Sequence, residues 1–195
     1  MKKRILLLAA VVLCVSTFAT GTLAYFTSEK KVHNVITSGA VDIEIEEWQK
    51  KGEDLVPYPK EEPIKVMPGT TVSKIATIKN TDAESYIRAK FEVVITGSDG
   101  NVMELSPETL ASIVSVTVNG NKWLRKDGDG IWWYYADAVA SGASTEAFFT
   151  EVVFDGPNMT NEYQNCKVEV IVKAQAVQTA NNHKDVLKAE GWPVE

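Results

Sequence analysis

The residues of this chain best suited to metal or nucleophilic chemistry are His33, His183, Cys14 and Cys166. A catalytic zinc takes about three protein ligands and keeps a further position for water. His33 and His183 stand at opposite ends of the sequence, and neither belongs to a His-Glu-x-x-His helix. A zinc site would need an acidic third ligand supplied by the fold, so solvated surface histidines are the simpler reading. Nothing in the sequence orients Cys166 and His183 for covalent attack. Asp127-Gly128-Asp129-Gly130 gathers the oxygens that calcium prefers, but Ala138 stands where an EF-hand loop carries its last glutamate. A hairpin turn suits it better. Asp42, Glu44, Glu46 and Glu47 read as the solvated face of a strand, with ion binding between subunits as the less economical use. No catalytic, cofactor or metal residue is assigned, and the expectation is a protein that is not an enzyme.

Aromatic chemistry is the stronger competitor. Trp123, Trp132, Trp133, Tyr134 and Tyr135 crowd one region. Sandwich-shaped carbohydrate-binding modules present coplanar rings of this kind to sugar faces. Trp132 and Tyr134 share one face of a strand, with Ile131, Trp133 and Tyr135 on the other. One face must be core. The other is open to three uses: a carbohydrate platform that includes Trp123, a subunit contact, or a cover for a second apolar patch.

The elements that position these residues are strands. Val41, Ile43 and Ile45 alternate with Asp42, Glu44 and Glu46. Ile87, Ala89, Phe91, Val93 and Ile95 alternate with Arg88, Lys90 and Glu92, and Val168, Val170 and Val172 repeat the pattern. Met67-Pro68-Gly69 is a turn leading into a strand from Val72 to Lys79. Asn119-Gly120 is a hairpin signal between residues 116–118 and 122–124, and Asp127 to Gly130 reverses the chain again, which predicts a three-strand meander. Residues 146–154 form a further strand rich in Phe and Val. Ser106-Pro107 opens a short helix through Ile113, and residues 182–190 form a second, stopped by Gly191 and Pro193. Residues 49–62, rich in Lys, Glu, Gly and Pro, read as an exposed loop. The fold class is therefore all-β: a two-sheet antiparallel sandwich with one or two short helices.

Ahead of the strands stands an export leader. Met1-Lys2-Lys3-Arg4 is basic, residues 5–15 are unbroken apolar, and Thr22-Leu23-Ala24 ends the stretch in small residues. Small side chains at the third and first positions before a cut fit a signal peptidase, which places cleavage between Ala24 and Tyr25. The domains are then a signal peptide over 1–24, an extended segment over 25–40, and a β-sandwich over 41–195. Removing Lys2, Lys3 and Arg4 from the 20 basic residues leaves 17 against 26 acidic ones, a mature net charge of −9. That charge disfavours nucleic acid and anionic lipid as partners, and the membrane is met only through the uncleaved leader. Cys14 leaves with the leader, so Cys166 has no partner for an intramolecular disulfide; it reads as a small buried hydrophobe beside Val168, with cross-linking between chains as the alternative. Leu13 before Cys14 argues against lipidation, and Gly191-Trp192-Pro193-Val194-Glu195 is not a sortase signal.

One ordered set of motifs resembles a known family. Ala24-Tyr25-Phe26-Thr27-Ser28 precedes Asn34-Val35-Ile36-Thr37-Ser38-Gly39-Ala40, the acidic strand Val41-Asp42-Ile43-Glu44-Ile45, Met67-Pro68-Gly69 and Ile78-Lys79-Asn80-Thr81. The set resembles exported biofilm-matrix proteins of the TasA and camelysin type, processed in Gram-positive bacteria by a dedicated signal peptidase of the SipW type. The resemblance implies a jelly-roll form of the sandwich and a secreted location in the extracellular matrix or at the cell surface. It also implies a structural role, in which subunits join by donor-strand exchange with copies of themselves or a related matrix subunit. The matching positions here begin at Tyr25, with Phe26, Val32, Val35 and Ile36 as the apolar side chains to be inserted. The camelysin branch has been described as proteolytic, but no cluster of His, Cys or Ser supports that here. The alternative from the residues is a secreted monomeric carbohydrate-binding module using exposed Trp123, Trp132 or Tyr134. The leader generates a direct test: N-terminal sequencing of the secreted protein should begin at Tyr25, and a start at Met1 would contradict the processing argument.

Overall fold

Apolar residues at every second position give each long strand one face to bury, and two such sheets close on each other. The computed structural model describes residues 35–37, 41–59 and 67–194, all within the unit spanning residues 33–195. Ten strands follow in chain order: β1 (Val35–Thr37), β2 (Ile43–Lys51), β3 (Asp54–Pro57), β4 (Thr71–Asn80), β5 (Ser85–Thr96), β6 (Val114–Val118), β7 (Trp123–Arg125), β8 (Trp133–Tyr135), β9 (Phe149–Phe154) and β10 (Lys167–Gln178). One sheet has the order β1-β10-β5-β8-β7, the other β3-β2-β4-β9-β6. The chain changes sheet at β1–β2, β4–β5, β5–β6, β6–β7, β8–β9 and β9–β10, so the two sheets of the sandwich are wound together and not built one after the other. All pairings between strands are antiparallel except that of β1, which runs parallel to β10 with Val35, Ile36 and Thr37 opposite Ala174, Gln175 and Ala176.

Aromatic rings bridge the sheets. Phe148 and Phe149 are both buried although adjacent in sequence. Strict alternation forbids that, and register shifts in β4 between Ser73 and Ala76 and in β6 between Val116 and Val118 permit it. Phe148 lies 4.7 Å from Trp123, 5.6 Å from Phe149 and 6.1 Å from Phe91, ring centre to ring centre, and Trp123 lies 5.2 Å from Tyr135. Asn80 closes the β4–β5 connection. Fully buried, it donates to the carbonyls of Ala83 and Val139, each at 2.8 Å, and accepts from the Asp82 amide. Gly69, at φ +77°, makes the Met67-Pro68-Gly69 turn, and its amide donates to the Phe154 carbonyl at 3.0 Å.

Several local expectations are corrected. The Asn119-Gly120 hairpin is not formed: β6 pairs with β9 in one sheet, while β7 pairs with β8 in the other. Asn119 instead turns the chain between sheets, its carbonyl accepting from the Lys122 and Trp123 amides and its own amide donating to Phe148. Burying Trp123 outweighs the local turn preference. Of the expected loop over residues 49–62, the described part to residue 59 is not a plain loop, because the end of β2 and β3 form a hairpin turning at Gly52, φ +68°. The second helix is reduced to a single 3₁₀ turn, Val186–Lys188. The first helix, α1 (Pro107–Ile113), forms as expected, with the Ser106 hydroxyl accepting from the Thr109 amide and Pro107 in the first turn. Glu47 is not part of a solvated face. It follows Glu46 directly, so period two turns it to the side of Ile43 and Ile45, where it is buried and paired with buried Lys74 at 2.6 Å.

The central ring cluster predicts the largest single-site loss. Phe148→Ala should cost about 3–5 kcal/mol, the range for a large buried aromatic, as measured by urea denaturation. A loss below about 1 kcal/mol would mean that the sheets close around another centre.

Candidate functional site

The first candidate is the edge where the N-terminal segment meets the sandwich. β10 pairs with β5 along its whole length, from Lys167 opposite Thr96 to Gln178 opposite Ser85. On its other side only Ala174, Gln175 and Ala176 are paired among the described residues, and their partner is β1. Along β10, Val170, Val172, Ala174 and Ala176 are buried between the sheets. Two of the expected assembly positions, Val35 and Ile36, thus lie in a strand of the same chain that the sequence did not separate from the extended segment. The cut between Ala24 and Tyr25, and positions Phe26 and Val32, lie outside the described residues.

Other strand edges differ in chemistry. β3 ends in Pro57, and β7 is three residues long and carries Arg125. β6 is uncharged, and a shallow groove of about 290 Å³ beside it is lined by Thr117, Val118, Asn119, Phe149, Thr150 and Glu151.

The second candidate is the aromatic set, and the structure takes the last of its three open uses. Trp123 is buried in the main core, while Trp132 and Tyr134 lie under the residues that follow β10. Their exposures of 1%, 5% and 1% leave no ring face for a sugar. The exposed platform expected from Trp123, Trp132 and Tyr134 is therefore not present. At the centre of this cover lies Arg88, which the sequence reading passed over as an outward polar residue of β5. Its guanidinium stacks 4.4 Å from the Trp132 ring and 4.7 Å from the Trp192 ring. It donates to Gln175 Oε1 at 2.6 and 2.9 Å, to the Tyr134 hydroxyl at 3.2 Å and to the Pro193 carbonyl at 3.3 Å. A planar cation can satisfy flat rings and several acceptors at once, which lysine cannot do. The available signal was the outward row Tyr86, Arg88, Lys90 together with Gly191-Trp192-Pro193.

The remaining candidates are placed as follows. Asp129 accepts from the Tyr134 hydroxyl and lies 3.8 Å from Arg88 Nη1, so the Asp127 to Gly130 turn is bound into the aromatic face. Among the described residues no group of three or more His, Cys, Asp or Glu side chains could hold a metal. His183 is exposed, with Nδ1 accepting from the Asp185 amide at 3.1 Å. Cys166 is half-buried against the core with Sγ 3.8 Å from Met103 Sδ.

Burial first, then the hydrogen bond to Asp129, holds the Tyr134 hydroxyl above the usual tyrosine range, against the pull of Arg88. An unfolded tyrosine ionises near pH 10, below the folded Tyr134. The neutral form thus contributes stability below about pH 10 that is lost as pH rises through the folded value. In urea titrations across this range, wild type should lose stability more steeply than Tyr134→Phe. Parallel slopes would refute the assignment.

Neither protein-family models nor curated proteins give a match to this chain.

Proposed function

We propose that the mature chain is an extracellular structural subunit that polymerises into biofilm-matrix or cell-surface fibres, of the TasA and camelysin type. Joining occurs by donation of the N-terminal segment as a strand once the leader is cut. The observation that carries this reading is the long regular edge of β10, of which only Ala174 to Ala176 is paired among the described residues, by a strand from that same N-terminal segment. An unpaired run of backbone amides and carbonyls is a template for an added strand. Val170 and Val172 beside it are already buried between the sheets, so this edge offers a donor chiefly its main-chain groups.

Magnitudes favour a joint made of both terms. Two or three large side chains contribute on the order of 4–8 kcal/mol before association costs, so the main-chain ladder must add to them. An uncleaved leader would hold the donor at the membrane, and export processing then doubles as the assembly switch. Partners are further copies or a related matrix subunit.

The experiment compares the mature protein, a deletion of residues 25–36 and Phe26→Asp by sedimentation, electron microscopy and thermal unfolding. Mature protein should form filaments. The deletion should give a folded monomer, slightly less stable because Val35 and Ile36 no longer pair with Ala174 and Gln175. Phe26→Asp should weaken polymerisation more than folding. Filaments from the deleted protein would sink the proposal, and failure of that protein to fold would make the segment an ordinary part of the sandwich.

A further inference from the structure

The cover over Trp132 and Tyr134 is attached differently from every strand of the sandwich. Residues 182–190 close on themselves through Asn182. Its carboxamide donates to the Glu190 carbonyl and accepts from the Glu190 amide, both at 3.0 Å. Asp185 accepts from the Leu187 amide at 3.0 Å, and Trp192 Nε1 donates to the Ala189 carbonyl at 2.9 Å. The loop is thus organised by its own residues. It meets the sheet through side chains. Val186 and Ala189 bury against Tyr86, Trp132, Tyr134 and Val177, and the Trp192 ring stands edge-on to Tyr134 at 5.5 Å. The polar links are the Tyr86 hydroxyl to the Lys184 carbonyl at 3.0 Å, Arg88 to the Pro193 carbonyl at 3.3 Å, and the Asn182 carboxamide to the Gln178 carbonyl at the end of β10 at 3.1 Å.

We propose that this C-terminal loop is a detachable docking unit, and that the outer face of β5, β8 and β10 is an interface that accepts the same loop from a second copy of the chain. Three features point to exchange. No strand ladder has to be broken to lift the loop, and its internal bonds let it move without losing its shape. The chain enters it through Asn181, at φ +59°, a left-handed conformation disfavoured for a non-glycine residue, so opening the turn relieves backbone strain while giving up the bonds from Asn182 to Thr179 and Gln178. Opening that hinge carries the loop away from its own sheet, which is the usual route to swapping.

The third feature is the face itself, which cannot stand bare. Lifting the loop would wet Trp132, Tyr134, Tyr86 and Val177, and would strip Arg88 of one of its two flanking indoles. An occupant must therefore supply an indole for Arg88, a carbonyl beside it, and small apolar groups for the aromatic floor. A second copy of this loop supplies all of them. The inference does not depend on the N-terminal strand.

The test uses two full-length variants. Arg88→Ala with Trp132→Ala damages the face and keeps the loop. Val186→Asp with Trp192→Ala damages the loop and keeps the face. Neither can dock its own loop well, but in a mixture the intact loop of the first meets the intact face of the second. Sedimentation velocity of the mixture should show at least ten-fold more 1:1 dimer than either variant alone at equal total concentration. Thermal unfolding of the mixture should move back toward wild type. A mixture that sediments as monomers overturns the proposal. Variants that do not fold overturn it as well, because a loop whose release unfolds the sandwich is not detachable. Filaments sediment far beyond a dimer, and repeating the mixture with residues 25–36 deleted separates this contact from strand donation.

Discussion

Two sheets packed about 10 Å apart share a core only where side chains span the gap, and here the span is made by rings gathered on Phe148. Phe91 reaches it from β5, Trp123 from β7, and Phe149 from the adjoining position in the chain. Putting two consecutive phenylalanines inside costs the regularity of the sheet, and the shifts in β4 and β6 are where that irregularity is absorbed. Trp123 can join the cluster only if the chain leaves one sheet after β6 and enters the other at β7. The crossing at Asn119, the short β7 and the separate pairing of β6 with β9 all follow from it.

A second constraint acts on the opposite side of the same sheet. Because Tyr135 and Trp133 turn toward the core, Trp132 and Tyr134 must turn outward, where two large rings need a cover. The C-terminal residues provide it, and Arg88 makes the cover compatible with charge. Its guanidinium lies between indoles while its hydrogens are taken by Gln175, Tyr134 and Pro193. Desolvated cation–π contacts are worth about 2 kcal/mol, and the acceptors keep the buried cation satisfied. The buried Glu47–Lys74 pair follows the same rule with opposite charges, and Tyr58 lies against Lys74 with its hydroxyl held above the usual range by burial and by the Glu47 charge.

Strand identity was legible wherever alternation was long. β5 and β10 are each twelve residues long; in β5 the alternation was readable from Tyr86 to Ile95, and in β10 only over Val168 to Val172. The Ser106-Pro107 start of α1 was legible because cap chemistry is local. What failed was local signal set against a distant demand. Asn119-Gly120 promised a hairpin, but only the position of Phe148 decides where Trp123 must go. Gly52 and Asp54–Pro57 were hidden in a charged stretch that read as loop. Glu47 was misplaced because four acids in a row of six invite one solvated face, while period two divides adjacent residues. For the aromatic site, two faces of one strand were readable; which face would be core and what would cover the other depended on residues more than 40 positions away, Arg88 and Trp192 among them.

Edge chemistry sets what the sandwich can do next. β3 is blunted by Pro57 and β7 by its length and Arg125, two devices that discourage pairing with another chain. β6 is uncharged, yet the shift between Val116 and Val118 breaks its ladder and twists the edge away from a regular partner. β10 has neither defence: its ladder with β5 runs without a shift, so outside the three residues paired with β1 its far side carries main-chain groups in regular register, among the described residues. A net charge of −6 sets copies against one another at a distance, but salt near physiological strength screens this beyond about 8 Å. Contact between copies is then decided locally. Along β10 the exposed charges are mixed, with Lys167 beside Glu169 and Lys173 beside Glu92, so the net acidity of the chain is locally cancelled there. In the fibre reading, that combination of an unbroken ladder and neutralised charge makes the β10 edge a better acceptor than β6.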